Sequence, residues 1–259
     1  MSILHNRAAL TVVVLAASVV VWETACRYYQ PPAFVLPAPS QIAAEFATTP
    51  VYFLREALVT LAETVAGFVL AIAFGLALAL AINSSRFLEA TLYTLLVALN
   101  SVPKVALAPV FIIWMGTGVA PKVTIALAIA IFPVVIDFVL GLRSSDPQLV
   151  DLAHTARSSW LKILLKVRLP SALPSMFAGM KVAISLALVG AIVGEFVAGE
   201  TGLGQVILLA QGQFQTARMF VAIVILGLLG AALFYLLDFS ERMLIPWHIS
   251  QRAPRSGRP

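Results

Sequence analysis

One cysteine, three histidines and twelve acidic residues are a sparse chemical inventory for a chain of 259 residues. Cys26 stands alone, which excludes an internal disulfide and any cluster of thiolate metal ligands. His5, His154 and His248 lie far apart in polar segments, and no HExxH, GxSxG or Cys/His grouping occurs. No metal site is expected. Charged residues make up only 11% of the chain, too few to cover a soluble surface. Alternating apolar and polar residues of the outer-membrane strand kind are also missing. One stretch superficially suggests a phosphate loop, Gly116–Thr124, GTGVAPKVT. Pro121 occupies the place of the loop's second glycine and Val123 that of its magnesium-binding hydroxyl. The chain therefore has no route to ATP hydrolysis of its own, and no enzyme activity is expected.

What is abundant is hydrocarbon. Apolar residues account for 61% of the chain, mean hydropathy is +0.98, and six blocks reach about 20 residues, the length that crosses a bilayer. They run Ala8–Ala25, Thr60–Ile82, Ala90–Met115, Val123–Leu142, Met176–Ala198 and Met219–Leu237. Helices satisfy their own backbone groups in lipid, so the expected class is an all-α polytopic membrane protein with six transmembrane helices. The first block has the polarity of a signal peptide, with Arg7 ahead of an apolar run. No small-x-small site follows it, so it is expected to stay as a span.

Basic residues set the orientation. With the N-terminus inside, eleven fall on inner segments: Arg7, Arg86, Arg143, Arg157, Lys162, Lys166, Arg168, Arg242, Arg252, Arg255 and Arg258. Four fall outside, Arg27, Arg55, Lys122 and Arg218, while Lys104 and Lys181 lie within spans. The positive-inside rule then places both termini in the cytoplasm. The basic balance is a topology signal, and no nucleic-acid partner is expected.

Three segments break the hydrocarbon pattern. Gln30–Ser40 carries four prolines and reads as an extended outer connection. The third span contains NSVPKVALAP, in which Pro103 and Pro109 each remove a helix hydrogen bond and Asn100 and Lys104 are polar at mid-membrane. A broken helix of this kind is tolerated where it faces protein or a cavity. Between spans four and five lies the largest inner loop, within residues 143–170. Asp146 is a good N-cap and Pro147 suits a first helical turn. A second short helix is expected from Ser158 or Ser159, with Lys162 and Lys166 on one face, ending at Pro170 and Pro174. Such an ordered pair of helices, pushed out of the membrane, is shaped to dock in a groove on a soluble partner.

Glu63, Lys104, Asp137, Lys181 and Glu195 are ionisable residues inside spans, where each is costly and should face protein or a cavity. At ~1.5 Å per residue, Asp137 lies roughly 22 Å below the outer end of its span, Lys181 roughly 25 Å and Lys104 roughly 16 Å. The depths predict a pair between Asp137 and Lys181, with Lys104 as the other candidate. Glu195, near an outer end, reads either as a solvated helix-end acid or as a gate residue.

The stretch Asp151–Pro174 resembles the EAA loop of permease subunits of ATP-binding-cassette importers of the type I (MetI-like) fold. Asp151, Ala153, Ser159, Leu169, Pro170 and Pro174 match that loop. The flanking LPAPSQI, SVPKVALAP, DPQLVDLA, VGAIVGEF and GLGQVI resemble the nitrate, sulfonate and taurine subfamily. The resemblance implies a first helix and proline-rich connection over residues 1–55, a core permease domain over 56–245 and a basic tail over 246–259. It implies a bacterial inner-membrane location and a homodimer, and two cytoplasmic ATPase subunits that carry ATP and magnesium. An external binding protein would deliver a small, anionic solute. Asp151, Ala153, His154, Thr155, Arg157 and Ser159 would form the surface that couples to the ATPase. Asn100, Ser101, Lys104, Asp137, Lys181 and Glu195 would be candidates for the translocation pathway. One departure stands out: the family's turn glycine falls at Arg157. If that turn needs a left-handed residue, arginine costs roughly 1–2 kcal/mol there. Either the turn is rebuilt or the arginine has another task, such as pairing with an acid on the ATPase. The alternative to a permease subunit is a self-sufficient secondary transporter or channel, which should show mid-membrane ion carboxylates and an internal repeat. A scaffold without transport would leave the broken third span unexplained.

Overall fold

The computed structural model describes residues 7–246, and among them no strand occurs. His5, His248, Arg252, Arg255, Arg258 and the tail from 247 onward lie outside the described residues, as do the side chains of Arg7 and Arg86. Ten helical segments follow in order. They are α1 (Arg7–Tyr29), α2 (Pro39–Thr48), α3 (Pro50–Ser84), α4 (Glu89–Asn100), α5 (Lys104–Met115), α6 (Val119–Arg143), α7 (Pro147–Thr155), α8 (Trp160–Ala198), α9 (Leu203–Gly212) and α10 (Thr216–Leu244). Five of them are long and apolar enough to cross a membrane, and α4 with α5 forms a sixth candidate bent by 83°. That bend falls where the NSVPKVALAP stretch predicts a break.

The chain divides into two units. One runs to Val59 and adds Thr201–Gly227. Within it, α2 begins at Pro39, and the Gln41 side chain accepts from the Ala38 N–H at 2.9 Å. Arg218 meets Glu45 at 3.0 Å, the Thr216 hydroxyl donates to the Phe34 carbonyl at 2.6 Å, and Trp22 packs on Phe220 at 5.7 Å. Glu56, buried, accepts from the backbone N–H of Gly202 at 2.6 Å and holds the start of α9.

The second unit holds Thr60–Glu200 and the chain from Leu228. Its axis is α6, whose Ile125, Ala126, Ala130, Val134 and Val135 are fully buried. Lipid tails are as apolar as leucine, so burial alone cannot hold membrane helices together; close approach across small residues does. Ala126 shows this well. A Cβ on Gly67 of α3 would lie 2.5 Å from its side chain, and one on Gly190 of α8 would lie 2.6 Å from its Cα. Both neighbours therefore approach α6 through glycine.

Helix α8 corrects one expectation. Pro170 and Pro174 do not end a short helix ahead of a span starting at Met176. The helix runs unbroken from Trp160 to Ala198. Its turn at Leu164–Arg168 widens to π geometry, and Pro170 then stands in the first turn of the regular helix that follows. Widening frees carbonyl groups from the ladder just where a proline has no N–H to offer.

Candidate functional site

The loop between α6 and α8 is built as its local signals predict. The Asp146 side chain accepts from the Gln148 N–H at 2.9 Å, and Pro147 opens α7. At the other end, Arg157 N–H donates to the His154 carbonyl at 2.9 Å and Ser158 N–H to the Ala153 carbonyl at 3.1 Å. This paired pattern closes a helix through a left-handed residue, usually glycine. Arg157 takes that position with φ of 51°. The turn is therefore not rebuilt around the arginine, and the backbone carries the strain. Asp151, His154, Thr155, Arg157 and Ser159 are exposed and Ala153 is half-buried. Beside them Leu149, Leu152, Trp160, Leu161 and Leu165 are each more than half exposed.

At the break between α4 and α5, Asn100 and Ser101 are exposed and Lys104 is half-buried. The Lys104 ammonium donates to Asn100 Oδ1 at 2.7 Å and lies 5.9 Å from the centre of the Phe132 ring. A kinked span with donors at its bend is the arrangement expected of a wall facing a cavity. The glycines of Gly116–Thr124 have a simpler use. Gly116 and Gly118 adopt φ of 77° and 116°, the left-handed backbone needed to turn from α5 into α6.

Charged groups inside the spans are arranged differently from expectation. Lys181 does not pair with Asp137. Its ammonium bonds Asp238 and Glu241 of α10, each at 2.5 Å, and Arg242 shares Asp238 at 2.7 Å. Depth was a sound guide but direction was not. Asp137 packs against Gly179, where an added Cβ would lie 2.6 Å from its Cβ. Lys181 is two residues further on, about 200° around the helix, and points to the other neighbour. Asp137 itself forms no ion pair among the described residues. Lys122, placed outside by its position near a span end, is 2% exposed and pairs with Glu63, also 2% exposed, at 2.8 Å. Glu195 is not a solvated helix end: it is fully buried, accepts from the Thr60 hydroxyl at 2.6 Å and lies against Glu63. The sequence carried a signal for the missed partners. Glu63 within a span demands a cation, and Asp238 and Glu241 share a helix face at i, i+3 within an apolar run.

Comparison with known proteins gives consistent matches. The family model described as binding-protein-dependent transport system inner membrane component matches residues 71–247. The riboflavin transport system permease protein RibX of Chloroflexus aurantiacus is 36% identical over 240 residues, 92% of this chain and 90% of that one. The formylaminopyrimidine transport permease protein ThiX of Halalkalibacterium halodurans is 32% identical, over 90% of this chain and 93% of that one. A solved structure of the MetNI methionine ABC transporter in an inward-facing conformation superposes with a TM-score of 0.65 at 19% identity, covering 77% of this chain and 97% of that one.

Proposed function

We propose a working arrangement for a chain that belongs to the family of binding-protein-dependent transport system inner membrane components, and is thus the permease subunit of an ATP-binding-cassette importer rather than an enzyme. Members of this family work with an ATPase and a binding protein. In the arrangement proposed, two copies of this chain form the pathway, and two ATPase subunits with ATP and magnesium sit against α7. An external binding protein delivers the solute, and both termini face the cytoplasm of a bacterial inner membrane. The observation that carries this reading is the exposed α7 with its apolar rim of Leu149, Leu152, Trp160 and Leu161, standing outside the spans. A solvated connector has no use for such an ordered apolar rim. Asp151, Ala153, His154, Thr155, Arg157 and Ser159 form the docking surface.

The pathway in this reading runs past the bend at Asn100, Ser101 and Lys104. Lys104 and Asn100 offer donors to a small solute with an anionic or strongly polar group. The relatives named for riboflavin and formylaminopyrimidine fit the same need for polar donors beside aromatic walls, here Phe132. Asp137, Lys181 and Glu195 serve packing: Lys181 and Glu195 sit in filled networks, and Asp137 lies against Gly179.

Affinity purification of the tagged chain in mild detergent tests the reading. A stoichiometric ATPase subunit in the eluate is expected, and Leu152→Asp should remove it while leaving the permease folded. A homo-oligomer free of ATPase at several detergents and salt levels would overturn it and favour the secondary transporter.

A further inference from the structure

The ends of three spans and the inner side of α7 enclose a pocket to which the importer reading gives no ligand. It has a volume of about 300 Å³ and is lined by Asn83 from α3, Leu142 and Arg143 from α6, Ser145, Pro147, Val150 and Asp151 from the loop and α7, and Arg168 from α8. That volume is at the lower end for ligand sites and far above the space of one water. Two of the lining residues carry buried polar atoms with no hydrogen-bond partner, Asn83 Nδ2 and Ser145 Oγ. Buried donors are almost always satisfied, so two orphans on one pocket point to a missing partner. The amide of Asn83 has a soft terminal torsion and the hydroxyl hydrogen of Ser145 rotates, so both donors can be redirected to a partner.

The charge of the lining indicates the partner's chemistry. Arg143 spends one nitrogen on Glu89 at 3.0 Å and stays 41% exposed, with further donors free. Arg168 is half-buried and forms no ion pair among the described residues. Asp151 is the lining carboxylate and is exposed; the nearby Asp146 is engaged in capping α7. Two guanidinium groups, an amide and a hydroxyl make a donor set suited to a tetrahedral oxyanion, since the guanidinium fork matches phosphate geometry. The place favours one such anion above others. Spans α3 and α6 end here; the ends of spans meet the headgroup region, and basic pockets between helix ends take anionic headgroups.

We propose that the pocket of Asn83, Arg143, Ser145 and Arg168 binds a phosphate group, carried by an anionic phospholipid or free in solution. The phosphate oxygens accept from the two arginines, the Asn83 amide and the Ser145 hydroxyl. Because Pro147, Val150 and Asp151 form one wall, occupancy fixes α7 against the ends of the spans. This last consequence rests on the docking role proposed above; the binding itself does not.

The test uses the full chain, purified from membranes in mild detergent, with bound lipid read by native mass spectrometry and extraction. Wild type should retain phosphatidylglycerol over phosphatidylcholine, and Arg168→Gln should lower retention by about tenfold or more, the value of a charge-assisted hydrogen bond. Ser145→Leu, which fills the cavity without changing charge, should do the same, while Arg168→Lys should keep part of the retention and report folding. Inorganic phosphate separates the sources. If it raises Tm in wild type but not in Arg168→Gln, and no lipid is retained, the ligand is free phosphate. Lipid retention and phosphate response equal in wild type, Arg168→Gln and Ser145→Leu would overturn the proposal. Because the readout is binding to this chain alone, it is independent of whether an ATPase co-purifies.

Discussion

Replacing Lys122 by methionine keeps the length of the side chain and removes its charge, leaving Glu63 buried without its cation. At 2.8 Å the attraction lost is about 6 kcal/mol with an effective dielectric constant near ~20. Relaxation and partial compensation bring the usual loss on breaking a buried pair to about 3–5 kcal/mol. Glu195 makes relief harder, because it brings a second carboxylate against Glu63 and already accepts from Thr60. Glu63→Met alone should also destabilise, by removing the carboxylate that Lys122 bonds at 2.8 Å. The double replacement removes both charges of the pair and leaves Glu195 with the Thr60 hydroxyl; it should cost less than the sum of the two single losses. The assay is unfolding of the purified chain by SDS in mixed micelles, for the wild type, both single variants and the double. A double loss equal to the sum of the single losses within about 0.5 kcal/mol would refute the pairing. So would single losses below about 1 kcal/mol, the range of solvent-exposed pairs.

Three further outcomes follow from the same structure. Gly194→Ala should lose about 1–3 kcal/mol, since its new Cβ would lie 2.8 Å from the Cα of Lys122. Gly227→Ala, with nothing within 4 Å, should be neutral or gain up to about 1 kcal/mol; equal behaviour of the two in the micelle assay would deny the close approach. Arg157→Gly should raise stability by about 1 kcal/mol by relieving the positive φ, read as a higher SDS midpoint; a lower midpoint would mean that the arginine side chain holds the turn. Lys181→Met should lose about 1–3 kcal/mol by leaving Glu241 facing Asp238, whereas Lys181→Arg should retain most of the stability; identical losses would show that packing, not charge, decides that site.

Features written into a few adjacent residues were legible in the sequence. Hydrocarbon runs marked the spans, Asp146-Pro147 marked the start of α7, and Pro103 beside Lys104 marked the break between α4 and α5. Each of these depends on local backbone chemistry or on total apolar length. Arg157 was legible only as a question: the sequence left open whether the turn is rebuilt, and the backbone bonds from residues 157 and 158 with φ of 51° answer that it is not. The continuity of α8 was less legible. Pro170 reads as a stop, and only the widened turn ahead of it lets the helix pass.

The ion pairs were lost for a different reason, and it suggests a better rule. Depth along a span follows from counting residues, but partner choice depends on which way a side chain faces, and two residues reverse that direction. Lys181 was at the right depth for Asp137 and on the wrong side of its helix. The nearby glycine held the missing information. Gly179 can only be needed where another helix comes close, so it marks the face of α8 that meets α6 and Asp137. The residue half a turn away must then serve a different neighbour, which here is α10 with Asp238 and Glu241. Gly194 works the same way, marking the face of α8 that meets Lys122. Glu195, the next residue, is turned about 100° from it and reaches Thr60 of α3 instead. In α8 the glycines identify the contact faces, and charges should be paired only after those faces have been assigned.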